Sequence, residues 1–184
     1  MRLQHKVTVE YTGAKPDKTQ NHLIVSNHRS NFDPPLVSSF MNMRTGFLAK
    51  KELFANPLFS FLITMLSAIV LDRGNTQKST FDKARKMLRT KCFGLAWNIG
   101  VFIEGTRSKD PVKLGKPNNG PIFLARIAKV PILPVGITYK ENGDIAIKVG
   151  EAYELDRKQD QEDAAWDCLE KISLLTDYEM PQRD

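Results

Sequence analysis

His28 and Asp33 stand five positions apart in the run Asn27-His28-Arg29-Ser30-Asn31-Phe32-Asp33-Pro34, just after a short apolar stretch at residues 22–26. A carboxylate on one imidazole nitrogen holds the ring in one tautomer and stabilises the imidazolium that forms when the other nitrogen takes a proton. Such a pair can act as a general base on a hydroxyl. Alone it is weak evidence, because His and Asp often meet at that spacing by chance.

Three further segments carry groups suited to the same site. An apolar run at residues 69–72 delivers Arg73. The run Val101 to Ser108 presents Glu104, Gly105, Thr106 and Arg107. Gly105 permits a tight turn and close backbone approach. The Arg107 guanidinium is a planar fork that suits a phosphate, and Glu104 can accept from a hydroxyl or hold an arginine. Residues 130–135, Val-Pro-Ile-Leu-Pro-Val, lack titratable groups and read as a wall. Taken singly, each has a plainer reading: Glu104 and Arg107 as a structural ion pair, Arg73 as a surface residue, Pro131 and Pro134 as strand-edge punctuation. Their order along the chain, each by an expected strand end, favours one shared site, since open α/β sheets bind ligands at the C-terminal ends of strands.

The elements that must position these groups alternate. Strands are expected at residues 6–11, 22–26, 46–50, 68–72, 100–104, 132–139 and 145–149, and helices at 33–43, 57–66, 79–93 and 120–129, with a last, acidic helix at about 159–177. Residues 79–93 place Phe81, Ala84, Met87, Leu88 and Cys92 on one face at helical spacing. This alternation predicts an α/β fold: a single-domain, three-layer sandwich around a mostly parallel mixed sheet, spanning residues 1–184. Residues 53–71 hold no charge and are long enough to cross a membrane. Asn56-Pro57 interrupts them, however, so they read as a hydrophobic helix, in the core or resting on a membrane, followed by a core strand.

Composition narrows the class. The chain of 184 residues is 41% apolar and 26% charged, as an ordinary globular protein is. Cys92 and Cys168 lack metal-ligand spacing and predict a reducing compartment without disulfides. Met1 to Lys6 lacks the apolar core of a signal peptide. The net charge of +6 conceals an asymmetry: residues 1–150 hold 23 Lys and Arg against 10 Asp and Glu, whereas residues 151–184 hold 4 against 11. The plain reading is a solvated surface ending in an acidic helix. The sharper reading is a body that faces phosphate head groups, a nucleotide-bearing cofactor or an anionic membrane. Nucleic acid is not expected, for there is no zinc-finger spacing, no RNP-like aromatic strand and no basic helix followed by heptads.

The segments Asn27 to Asp33, Asp72-Arg73, Phe102 to Ser108 and Val130 to Val135 resemble, in order, the four motifs of the glycerolipid acyltransferase family. Ala49-Lys50-Lys51-Glu52-Leu53 resembles a segment that family carries between its first two motifs. The resemblance covers residues of about 20–150. It implies that His28 deprotonates an acceptor hydroxyl, that Asp33 orients His28, and that the hydroxyl attacks the thioester of acyl-coenzyme A or acyl-carrier protein. It further implies that Lys50, Arg73, Glu104, Gly105, Thr106 and Arg107 hold a phosphorylated acceptor, while the wall around Pro131 shapes the acyl or acceptor site. The acceptor implied is a lysophospholipid, first among them 1-acylglycerol 3-phosphate, giving phosphatidic acid; glycerol 3-phosphate or another lysolipid is the alternative. No metal or bound cofactor is implied, and contact with the cytoplasmic face of a membrane is peripheral.

Two departures from the family pattern stand out. Ile103 occupies a position where the family usually has Pro, which alters a backbone restraint and not a reacting group. This sequence begins almost at the first strand, without the apolar segment that many members carry ahead of it, which predicts a soluble or peripheral member or a shortened form. Two readings from other classes stand beside the acyltransferase. His28, Asp33, Asp72 and Glu104 are enough ligands for a metal-dependent phosphohydrolase, although Arg73 and Arg107 beside them suit an anion better. A non-catalytic phospholipid-binding module would use the basic body and residues 54–66; the intact His-x4-Asp pair speaks against it.

Overall fold

Residues 23–26 and 132–139 have almost no polar face, as befits strands covered on both sides. In the computed structural model, which describes residues 6–41, 43–50, 69–71 and 77–183, they pair in parallel at the middle of one sheet. In chain order the strands are β1 (Val7–Tyr11), β2 (Leu23–Ser26), β3 (Thr45–Lys50), β4 (Ile69–Leu71), β5 (Lys91–Cys92), β6 (Leu95–Ala96), β7 (Asn98–Phe102), β8 (Ile132–Tyr139) and β9 (Ile145–Val149). Among the described residues, seven of them form a sheet in the order β1-β9-β8-β2-β7-β3-β4, and β5 and β6 form a separate hairpin. The strands from β8 to β4 are mutually parallel; β9 turns back antiparallel to β8, and β1 lies parallel to β9. A mostly parallel mixed sheet is therefore what the alternating pattern predicts and what the chain forms.

The helices are α1 (Asp33–Phe40), α2 (Gln77–Met87), α3 (Gly120–Ala128) and α4 (Gln161–Ser173). Side chains alternate across a strand, and β2 shows it. Leu23 and Val25 enter a core with Leu88, Leu124 and Leu169, next to α2, α3 and α4. Ile24 enters a second core with Val37 of α1 and with Leu133 and Ile137 of β8. Burying each such side chain stabilises the fold by ~1.5–3 kcal/mol. The result is three layers, with the turn after β2 at one end of a sheet fixed on both faces.

Several elements differ from the sequence-based expectation. α2 ends at Met87 rather than 93. The Thr90 hydroxyl donates to the Lys86 carbonyl at 2.9 Å, and the amides of Arg89 and Thr90 reach back only three residues, closing the helix. Phe93 (φ 53°) and Gly94 (φ 75°) then form a two-residue hairpin turn. Both central residues have positive φ, the signature of the primed turn that matches strand twist. Asn-Gly would have announced it; Phe-Gly does not. α1 stops at Phe40, and the Asp160 side chain caps α4 by accepting from the amides of Glu162 and Asp163. The helix expected at 57–66 lies outside the described residues, and so do Asp72 and Arg73.

Within the wall expected at residues 130–135, Pro131 stands at the end of β2 away from His28. Leu23 pairs with Ile132 and Ser26 with Val135, and the Leu23 amide donates to the Pro131 carbonyl at 3.0 Å. The apolar run from Val130 to Val135 thus lies along the whole of β2, with Pro131 at its start and Val135 opposite its last residue, two positions before His28. β8 is eight residues long, so its C-terminal end, next to His28, is Ile137 to Tyr139.

Candidate active site

β2 stops at Ser26, and Asn27 continues its pairing with a side chain in place of backbone. Asn27 Nδ2 donates to the Ile137 carbonyl at 2.9 Å, and Oδ1 accepts from the Ile137 amide at 2.8 Å. Fully buried, this residue ties the start of the turn to β8. The chain then reverses, the Asp33 amide donating to the Ser30 carbonyl as α1 begins.

Asp33 has no exposed surface. Its Oδ2 meets His28 Nδ1 at 2.8 Å and the amides of Arg29 and Ser30 at 2.7 Å each. Its Oδ1 accepts from the Tyr139 hydroxyl at 2.6 Å. A carboxylate so placed accepts from Nδ1–H of His28 as it does from the two amides and the phenol, and in that tautomer Nε2 is the acceptor nitrogen of the ring. The His28 side chain is 16% exposed. Its ring lies against Phe102, centroids 3.9 Å apart and planes 10° apart, and Phe102 stacks in turn near Phe47. The imidazole is thus fixed in tautomer by Asp33 and in plane by Phe102.

The loop after β7 wraps the same turn. The Ile103 amide donates to the Ser26 carbonyl at 2.9 Å, a bond proline cannot make, so the Ile103 departure adds a tie. Gly105 adopts φ 69°, and the Ser108 amide donates to the His28 carbonyl at 2.9 Å. Glu104 is 9% exposed. Its Oε1 accepts from the His28 amide and its Oε2 from the Gly115 amide, each at 3.1 Å. Burial pushes its carboxyl above the usual value, against the pull of those two amides. Thr106 and Arg107 are exposed at the rim.

Arg29 clamps the continuation of this loop. Its Nη2 donates to the Lys113 carbonyl at 3.0 Å, its Nη1 donates to the Asp110 carbonyl, and its guanidinium lies 3.6 Å over the ring of Tyr178. Tyr178 and Glu179 belong to a segment after α4 that pairs with the loop: the Leu114 amide donates to the Glu179 carbonyl, and the Glu179 amide donates to that of Val112.

The fold therefore brings His28, Asp33, Glu104, Gly105, Thr106 and Arg107 together at the C-terminal ends of β2 and β7. Lys50 ends β3, paired with Leu71 of β4, two strands away from β2. Arg73 lies outside the described residues. Among the described residues no three His, Cys, Asp or Glu are placed to hold a metal ion. Asp33 and Glu104 turn their oxygens to different donors. Tyr139, Phe102, Arg29 and Tyr178 also touch the site or its loop, and the sequence gives them no role. The one signal for Tyr139 was a hydroxyl-tipped aromatic ending a buried strand. No described helix is long and apolar enough to cross a membrane.

The sequence pattern of the Acyltransferase family matches residues 6–138, and the chain belongs to that family. It is 32% identical over 124 residues to the 1-acyl-sn-glycerol-3-phosphate acyltransferase of Streptococcus pneumoniae, covering 67% of this chain and 44% of that protein. It is 31% identical over 127 residues to the Escherichia coli protein of the same name, covering 66% of this chain and 49% of the relative. The chain thus spans about half the length of the curated relatives it matches. The crystal structure of the 1-acyl-sn-glycerophosphate (LPA) acyltransferase from Thermotoga maritima superposes with a TM-score of 0.72 at 25% identity, covering 92% of this chain and 70% of the other.

Proposed function

We propose that this chain is an O-acyltransferase that moves a fatty acyl group from a thioester to the hydroxyl of a lysophospholipid, with 1-acylglycerol 3-phosphate as acceptor and phosphatidic acid as product. The observation that carries the reading is the 2.8 Å contact between His28 Nδ1 and a carboxylate held by two amides and a phenol. His28 Nε2 takes the acceptor's hydroxyl proton as the oxygen attacks the thioester carbonyl. A C–O bond forms, the C–S bond breaks, and the imidazolium returns the proton to the departing sulfur. The enzyme stays free of covalent attachment throughout.

In this reading the donor is acyl-coenzyme A or acyl-carrier protein, and no bound cofactor takes part. Arg107 meets the acceptor phosphate, with Thr106 beside it; Glu104 and Gly105 shape the loop that presents them. Lys50 and Arg73 join the phosphate contacts on the family resemblance alone. Residues 1–184 act as one unit, supported by α4 sharing a core with α2 and α3. Peripheral attachment to the cytoplasmic face of a membrane is supported by the excess of basic residues in 1–150. The relatives named for 1-acyl-sn-glycerol-3-phosphate favour that acceptor over glycerol 3-phosphate or other lysolipids.

The test is thiol release from palmitoyl-coenzyme A, with and without lysophosphatidic acid, by wild type and His28→Ala. Release that needs the acceptor and disappears in the variant supports the proposal. If wild type releases no thiol from coenzyme A or carrier-protein donors with any of several lysophospholipids, the proposal fails.

A further inference from the structure

The motifs account for one oxygen of Asp33 and leave the other to a residue outside them. Oδ2 is held by His28 and by two amides of its own turn. Oδ1 reaches the Tyr139 hydroxyl at 2.6 Å, across 106 positions of sequence. A carboxylate torsion is broad and roughly two-fold, so donors on Oδ2 alone leave the plane of the group free to swing. A short bond to Oδ1 from a different strand removes that freedom. Tyr139 is itself held: it ends β8, its amide donates to the Tyr178 hydroxyl at 3.2 Å, and Asn27 fixes the same strand end through Ile137.

We propose that Tyr139 is a positioning residue for the His28–Asp33 pair, setting the plane of the carboxylate and moderating how strongly it pulls on the imidazole. The proposal rests on the acyltransferase reading for its effect on rate, but not for its effect on His28. Burial and the Asp33 oxygen both push the Tyr139 phenol above its usual 10.0, so it remains a proton donor at any working pH. By donating to Oδ1 it shares the negative charge that Oδ2 would otherwise direct at His28. Without it, Asp33 stabilises the imidazolium more strongly and His28 becomes more basic. The charged and titratable groups around the pair are Arg29 on the same turn, Glu104 on the loop after β7 and Tyr178 beyond α4. None of them is removed by a change at Tyr139.

The experiment is Tyr139→Phe, which keeps the ring and deletes the donor. The His28 imidazole is titrated by NMR in both proteins, its signal assigned among the three histidines with His28→Ala. The expected result is an upward move of the His28 midpoint by about half a pH unit, and with it the acidic limb of kcat/KM. kcat should fall about tenfold, by the ~1–1.5 kcal/mol of one hydrogen bond, with acceptor KM little changed. In an Asp33→Asn background the same substitution should add no further loss, as expected of groups acting as a unit. A His28 midpoint within about 0.1 unit of wild type, or losses that simply multiply in the double variant, would overturn the role. Because the NMR titration needs no turnover, inactivity of the wild type would sink the acyltransferase reading while still leaving Tyr139 tested.

Discussion

The ring of Phe102 lies flat against the imidazole of His28, 3.9 Å between centroids, and behind it stands Phe47, whose own ring occupies space that only glycine leaves open. A Cβ on Gly100 would come within 2.3 Å of the Phe47 ring. Gly100 of β7 pairs with Phe47 of β3 in the sheet register, so sheet packing is relayed through two aromatic rings to the His28 imidazole.

That relay is open to test from both ends. Phe102→Leu should keep the fold, lose the stack worth ~0.5–1.5 kcal/mol and lower kcat roughly two- to tenfold. Gly100→Ala forces Phe47 to move and should cost ~1–3 kcal/mol of stability. Steady-state kinetics beside urea unfolding separates the two effects; a Phe102→Leu enzyme with wild-type kcat would remove Phe102 from the site.

Asp33→Asn retains size and an acceptor oxygen but loses the charge that fixes the His28 tautomer. The expected fall in kcat is on the order of 10³–10⁴, with acceptor KM nearly constant. An Asp33→Asn enzyme within tenfold of wild type would show that His28 needs no carboxylate.

The rim cations should act on binding. Arg107→Ala is expected to raise acceptor KM about tenfold or more, as loss of a charge-assisted bond does, and an unchanged KM would point to an acceptor without phosphate. Arg29→Ala frees the loop at Asp110 and Lys113 and should raise the same KM by a smaller factor. The comparison of the two variants across phosphorylated and unphosphorylated acceptors decides whether the loop or its charge matters.

Two buried groups give opposite pH dependences of stability. Burial raises Glu104 above its ordinary 4.5, so the native state holds this proton more tightly than the unfolded chain. Its favourable contribution is complete below that value and is lost as pH rises through the raised native value. Burial lowers His22 below its ordinary 6.5. The native state holds that proton less tightly, so stability climbs with pH up to about 6.5 as the unfolded chain, too, gives up its proton. Urea midpoints across this range should therefore decline less above pH 4.5 in Glu104→Gln than in wild type. In His22→Asn the rise toward pH 6.5 should be missing. Curves parallel to wild type in both variants would contradict both assignments.

Phe93 is 93% exposed and sits at φ 53°, a conformation unfavourable for a bulky L-residue. Phe93→Asn supplies the residue that a primed hairpin turn prefers. Thermal and urea unfolding should show a gain of about 0.5–1 kcal/mol, and acyl transfer should be unchanged. A loss of stability would mean that the exposed ring has a packing role.

The elements read most directly from sequence are those with unmixed signals. β8 and β9 run over the residues expected, because an apolar run bounded by turn residues has few alternatives. The His28–Asp33 pair is legible because a single turn carries both residues. What fails depends on distance or direction. The apolar face of residues 79–93 continues past Met87, but Thr90 closes the helix and the next residues pair as a hairpin. Pro131 reads as part of the site because a motif that runs along a strand does not say which of its residues stand at the site end. Tyr139 escapes notice because its partner lies 106 positions away and the contact exists only once β8 lies beside β2.

The pairing of Leu114 and Val112 with Glu179, and of Arg29 with Tyr178, bears on how the protein is made. Synthesis is slow beside the closure of local structure, so a nascent chain displays every motif while the segment that braces the Arg107 loop is still inside the ribosome. The loop that carries Arg107 therefore gains this brace only after residue 179 has emerged, later than the motifs themselves.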